Sequence, residues 1–159
     1  AAISTGYVLV VAALIVYPDL LSDVSDVARA AYTQSTLTNV DVAAALSKLQ
    51  TLMRADKLFT NERLSLAATA EALEVTPHQL SELVNSSLGM SFSRYLRQHR
   101  VEEARRLLVD DPSASVLAVS MMAGFRSQSN FYVAFREIVG QSPGDYRKSH
   151  ARDAANTPD

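Results

Sequence analysis

Residues 116–146 read VLAVSMMAGFRSQSNFYVAFREIVGQSPGDY, and residues 66–95 read LAATAEALEVTPHQLSELVNSSLGMSFSRY. The two stretches are copies of one pattern. Leu66, Ala70, Leu73 and Val75 correspond to Val116, Ser120, Ala123 and Phe125 at an offset of 50. Leu80, Leu83, Gly89, Ser91 and Tyr95 correspond to Phe131, Ala134, Gly140, Ser142 and Tyr146 at an offset of 51, so the second turn holds one extra residue. Apolar residues at helical spacing on both sides of a short turn predict a helix-turn-helix with a following helix in each copy. The duplication makes the fold class all-α: two three-helix subdomains joined by a long helix. Two reading heads on one chain point to DNA.

The 159-residue chain has room for one or two compact units, and its 48% hydrophobic composition is enough for a buried core. It contains no cysteine, which excludes disulfides and thiolate metal sites and is compatible with a reducing compartment. His78, His99 and His150 are too scattered to form a metal site, and no cofactor is expected. The net charge of −2 averages unlike segments. Residues 62–91 set Arg63 against Glu62, Glu71, Glu74 and Glu82. Residues 92–106 set Arg94, Arg97, Arg100, Arg105 and Arg106 against Glu102 and Glu103, and residues 112–150 set Arg126, Arg136, Arg147 and Lys148 against Glu137 and Asp145. Positive charge therefore gathers on the middle helix and the second unit, where it can neutralise phosphates. For the arginines of 92–106 taken alone, a solvated helix face reads equally well.

Ala1–Tyr17 carries no charge and ends at Pro18. With no initiator Met and no basic leader it does not match a signal peptide, and it is slightly shorter than the ~20 apolar residues of a spanning helix. Residues 1–18 read as the end of a transmembrane helix that starts upstream. That would anchor the intact protein in the inner membrane with its DNA-binding part in the cytoplasm. The alternative is a core helix or strand of a further soluble domain. Residues 19–38, rich in Ser and Thr, read as a linker.

The first subdomain, 39–98, opens with a leading helix capped by Asn39, with Asp41 in its first turn and Val42, Leu46, Leu49 and Met53 on one face, running to about Lys57. Ser65 caps the next helix, which buries Leu66, Ala70 and Leu73 and ends near Glu74. Thr76-Pro77-His78-Gln79 is a capping box with Pro at the first helical position. It turns Leu80, Leu83 and Val84 inward and His78, Gln79, Ser81, Glu82 and Asn85 outward. A long linker helix over 91–109 follows, stopped by Asp110-Asp111-Pro112. The second subdomain, 112–150, turns at Gly124, which can supply a positive φ, and restarts at Ser127. Phe131, Ala134, Phe135 and Ile138 face inward; Gln128, Ser129, Asn130, Tyr132, Val133 and Arg136 face outward. Residues 151–159 read as a disordered tail.

The outward residues have the chemistry of base edges. Gln and Asn pair with adenine, Arg with guanine or phosphate, and Val133 with a thymine methyl. Glu82 either accepts from cytosine N4 or is a solvated charge. Arg126 and Ser127 complete the second set, and Arg94, Arg97, Arg147 and Lys148 are candidate phosphate contacts. Gly140-Gln141-Ser142-Pro143-Gly144 fits the G-x-S-x-G hydrolase pattern, but that elbow needs a strand before it. Here an amphipathic helix precedes it, Ser142 reads as a helix cap, and no enzyme activity is expected. Met121-Met122 reads as core filling.

The run Gly124-Phe125-Arg126-Ser127-Gln128-Ser129-Asn130-Phe131, followed by Phe135-Arg136, Gly140, Ser142-Pro143 and Tyr146-Arg147-Lys148, closely resembles the C-terminal signature of AraC/XylS-type bacterial transcription regulators. The resemblance extends back through Arg100-Val101-Glu102-Glu103-Ala104 and Leu107-Leu108 to Leu66, covering residues 46–149. It implies a sequence-specific regulator, expected to be an activator, whose recognition helices 76–86 and 127–138 enter successive major-groove segments on one face of double-stranded DNA. RNA polymerase is the expected protein partner, and no residue pattern sets an oligomeric state. The run Leu80–Asn85 with the apolar segment upstream is similar to members that carry an N-terminal membrane sensor. The chain departs from the family pattern at Glu82, where many members are basic, at Asn85-Ser86, and at Val133, where many have Arg. The alternative is a helical protein-interaction module that has lost DNA binding, motivated by the acidic first unit.

Overall fold

Each helix begins where a small polar side chain can take up the free N–H groups of its first turn. A computed structural model of the chain describes residues 36–155, with side chains as far as Ala151. The expectations for residues 1–35, and for 156–159, lie outside the described residues. Seven α-helices and no strand are found among the described residues.

Helix α1 (Val42–Arg54) is capped by Asp41, whose Oδ1 accepts the Ala44 N–H at 3.0 Å. The cap is therefore not Asn39, which closes a 3-10 turn over Thr36–Asn39. The carboxylate also gains from the helix dipole, an advantage that the amide of Asn lacks. α1 ends at Arg54 rather than near Lys57, which has left-handed backbone (φ 47) and leads a 3-10 turn, Leu58–Thr60. The ridge that packs is Ala45, Leu49 and Met53; Val42 lies off it, 37% exposed, and Leu46 is half-buried.

Helix α2 (Leu66–Leu73) is capped by Ser65 and buries Ala70 and Leu73, with Leu66 only half-buried. Helix α3 (Pro77–Leu88) opens on the expected capping box: Thr76 Oγ1 accepts the Gln79 N–H at 3.2 Å, and Gln79 Oε1 accepts the Thr76 N–H at 2.9 Å. The long helix is α4 (Phe92–Asp110), with Ser91 as its cap. Helices α5 (Val116–Met122) and α6 (Gln128–Val139) are capped by Ser115 and Ser127. Helix α7 (Pro143–Ala155) starts at Ser142, whose Oγ accepts the Asp145 N–H at 3.1 Å. α7 runs through 151–155, which the sequence suggests as disordered tail; Ala151, Ala154 and Ala155 supply high helix propensity there.

The two turns share their backbone hydrogen bonds up to one point. Val75 N–H returns to Ala70 O and Phe125 N–H to Ser120 O, both at 3.0 Å. Glu74 and Gly124 stand at equivalent left-handed positions, φ 61 and φ 86. The register holds through Phe125, so the extra residue of the second copy is Arg126.

α4 serves both units. Its Phe92, Tyr95 and Leu96 are buried in the half that packs on the first unit, whose interior also holds Leu49, Met53, Phe59, Leu80, Leu83 and Val84. Val101, Ala104 and Leu108 join Val119, Phe125, Phe131, Phe135 and Tyr146 in the core of the second. Phe131 meets Phe125 and Phe135 edge-on, with ring centroids 5.1 and 5.5 Å apart. Burial of each such side chain stabilises by about 1.5–3 kcal/mol. Two inward assignments fail. Ile138 is 40% exposed, and Met121 and Met122 are 64% and 46% exposed, because α5 turns Val119 and Ser120 to the core and leaves both methionines outside it.

Candidate nucleic-acid interface

The buried ridges of α3 and α6 decide what each helix offers to solvent. With Leu80, Leu83 and Val84 in the core, α3 leaves His78 and Asn85 exposed and Gln79, Ser81 and Glu82 half-buried. Gln79 Oε1 already accepts the Thr76 N–H in the capping box, which fixes the orientation of its amide. With Phe131, Ala134 and Phe135 buried, α6 and its lead-in expose Arg126, Ser127, Gln128, Ser129, Asn130, Val133 and Arg136. The second face is thus more open than the first. Ser127 Oγ accepts the Asn130 N–H at 3.3 Å, which ties the first candidate contacts to the start of the helix.

The positive segment 92–106 has a different role from the one its charge suggests. Arg97 Nη1 meets Glu137 Oε2 at 3.1 Å, joining α4 to α6. Arg105 pairs with Glu102 and donates to the Tyr146 hydroxyl, and Arg106 is held between Glu103 and Asp110. Lys57 reaches the same Glu103 at 2.9 Å. The Arg106 hydrogen bond, aided by Lys57 and opposed by burial, holds the Glu103 carboxyl below the usual carboxylate range. Of the five arginines only Arg94 has no side-chain partner among the described residues.

Arg97, expected to face phosphate, is therefore engaged within the protein. Arg147 also differs: its Nε and Nη2 are buried without a hydrogen-bond partner among the described residues, so most of the fork is turned away from solvent. Arg126, Arg136 and Lys148 are exposed and unpaired among the described residues. A cleft of about 450 Å³ between the two units is lined by Ser65, Phe92, Arg97, Arg126, Asn130 and Val133, among others.

Arg100, grouped in the sequence with the charge that could neutralise phosphates, is instead bound within the protein. Its Nε–H donates to Phe59 O at 2.8 Å and its Nη2 to Asn61 O at 2.9 Å, while the guanidinium carbon lies 6.0 Å from the centre of the Phe125 ring. Partners about forty positions away leave no local pattern to read. His99, one residue before it, stacks on Phe59 at 5.7 Å and meets Tyr95 edge-on at 4.6 Å. Burial, with a lesser contribution from Arg54, holds its pKa below the ordinary 6.5.

Two helix-turn-helix units sharing one long helix, each presenting a polar helix face, define a two-headed DNA-binding domain. A family model described as "Helix-turn-helix domain" matches residues 69–149. The chain belongs to that family and carries the DNA-binding domain of an AraC/XylS-type transcription regulator. It is 36% identical over 114 residues to the transcriptional activator NphR of a Rhodococcus species, a match covering 69% of this chain and 33% of that protein. The chain thus spans about a third of the length of that relative. Among solved structures it is similar to the C-terminal domain of AraT, a response regulator from Geobacillus stearothermophilus, at 30% identity and TM-score 0.60, covering 67% of this chain and 84% of that one. The DNA-binding domain of AdpA, solved with a target DNA, shares the fold at 23% identity and TM-score 0.61, covering 69% and 98%. No helix among the described residues is long and apolar enough to cross a membrane.

Proposed function

We propose that the chain binds a specific duplex DNA sequence by placing α3 and α6 in two successive major-groove segments. The observation that carries this is the exposed face of α6, where Gln128, Ser129, Asn130, Val133 and Arg136 offer amides, a hydroxyl, a methyl pair and a free guanidinium to base edges and phosphates. His78, Ser81, Glu82 and Asn85 supply the weaker first face, with Gln79 beside them. Arg94, Arg126 and Lys148 reach phosphates. The DNA complex of AdpA, whose fold is shared, supports duplex DNA as the ligand.

The function is binding without a catalytic step. By likeness to NphR, a transcriptional activator, the intact protein is read as an activator of transcription. RNA polymerase is its proposed protein partner, with the DNA-binding part in the bacterial cytoplasm. Residues 1–18 link it to the membrane in this reading, with 19–38 as the connecting segment. The reading divides the rest into a first subdomain, 39–98, and a second, 112–150, on either side of the linker helix.

Selection from a randomised duplex pool tests the central claim. The expected product is a two-part consensus with half-sites about one helical turn, ~34 Å, apart, bound with an affinity that falls steeply with salt. Absence of enrichment, or binding indifferent to salt, would leave a protein-interaction module in its place. Fractionation of the intact protein tests the membrane link, which fails if the protein stays with the soluble fraction.

A further inference from the structure

The two units touch through backbone as well as through α4. A Cβ on Gly124 would lie 2.4 Å from Phe59 O and 2.9 Å from the Cα and carbonyl carbon of Thr60. The turn of the second helix-turn-helix therefore sits directly against the 3-10 turn that leads into the first. Arg100 closes this junction from α4. Its planar fork takes two carbonyls of the first unit, Phe59 O and Asn61 O, while its central carbon lies over the Phe125 ring of the second, 6.0 Å from the ring centre. A fork of fixed geometry holds two acceptors at once, which a lysine ammonium on a flexible stem does not reproduce. Phe125 precedes α6 by three residues, so whatever fixes Phe125 fixes where the second reading helix begins. One turn earlier on α4, Arg97 holds Glu137 of α6.

We propose that Arg100, seated against the Gly124-Phe125 turn, sets the separation and twist between α3 and α6 and thereby the operator spacing that the chain accepts. Arg100 is a positioning residue: it touches no base, and it acts through the turn that carries α6. The proposal rests on the reading that both helices enter DNA. One added base pair moves a half-site by about 3.4 Å and about a tenth of a helical turn, a displacement that a fixed pair of heads meets only by bending DNA or losing contacts. Without the clip, α4 and the exposed Arg97 pair are left to hold the second head, and the accepted spacing widens.

The test uses the full 159-residue chain and the two-part consensus duplex selected by the wild-type protein. Companion duplexes add or remove one base pair between the half-sites, or retain the second half-site alone. Wild type is expected to lose about tenfold in affinity for either spacing change. Arg100→Gln is expected to lose at most about threefold, Arg100→Lys to fall between them, and all three to bind the single half-site within about twofold of one another. Since the chain has no cysteine, Ser87→Cys and Ile138→Cys place one spin label on α3 and one near the end of α6. The distance distribution between them should broaden in Arg100→Gln. A spacing profile and a label distribution unchanged from wild type would overturn the proposal. Should Arg100→Gln fail to fold, Arg100→Lys carries the same two readouts. If selection yields no two-part consensus, the two-headed reading falls and the spacing claim with it. The label distances would still decide whether Arg100 holds the units together.

Discussion

Gly124 and Glu74 occupy the same place in the two copies, both with left-handed backbone, and they differ in what surrounds them. Glu74 is exposed and ion-paired with Lys48 at 2.8 Å, so the first copy tolerates a side chain at a conformational cost of about 1–2 kcal/mol. At Gly124 the neighbour is backbone, 2.4 Å from where a Cβ would stand, and backbone cannot swing aside. Gly124→Ala is therefore expected to lower the unfolding free energy by more than about 3 kcal/mol. Gly140→Ala, at φ 82 with nothing within 4 Å, should cost only about 1–2 kcal/mol. Urea denaturation of the two variants gives the comparison; equal losses would mean that the contact with Phe59 and Thr60 is not what excludes a side chain. The positive φ of Gly124 is legible in the sequence because a helix end demands it locally. Its contact across the junction is not, because residues 59 and 60 come to it only through the tertiary fold.

Helix starts are the most legible elements. Thr76, Ser65, Ser91, Ser115 and Ser127 each bond within their own first turn, so three or four neighbouring letters contain the whole interaction. Helix ends are less so: α1 stops early and α7 runs on, since packing and fraying compete there with weak propensity. Within α4 the half-buried ring of His99 makes stability depend on pH. Above 6.5 folded and unfolded chains both carry it neutral. Below 6.5 the unfolded chain takes up the proton first, because the folded pKa is depressed, so acid favours unfolding. Glu103, also held low, adds its loss only below its ordinary 4.5. The melting temperature should thus decline as pH falls from 6.5 toward 4.5, and His99→Phe should flatten that decline while leaving the further fall below 4.5. An unchanged slope in the variant would assign the decline to other groups. The capping box offers a second check: Thr76→Ala should cost about 1 kcal/mol in thermal or urea unfolding, and a neutral result would mean that the start of α3 is fixed by packing alone.

Across the whole molecule, charge sorts into two populations that a count along the sequence merges. Arg97, Arg100, Arg105, Arg106 and Lys57 are bound to carboxylates, carbonyls or a phenol of the protein itself. Arg94, Arg126, Arg136 and Lys148 have no partner among the described residues. The distinction has a thermodynamic signature in binding. A cation that neutralises a phosphate releases a condensed counterion, which steepens the salt dependence of affinity by about 0.9 in the log–log slope. A cation already paired within the protein brings less free charge to the duplex. Arg136→Ala should therefore weaken binding to all duplexes and lower the slope by about one, and Arg126→Ala should do the same if both face the backbone. Arg106→Ala, by contrast, should leave the slope within experimental scatter. That variant loses an exposed pair with Asp110, worth about 0–1 kcal/mol, and one with the largely buried Glu103, which keeps Lys57 as a partner, so it should remain folded for the comparison. Titrations of the three variants against one duplex at several salt concentrations make the measurement. If Arg106→Ala lowers the slope as much as Arg136→Ala, the α4 pairs open on DNA, and the phosphate-binding surface extends along the linker helix.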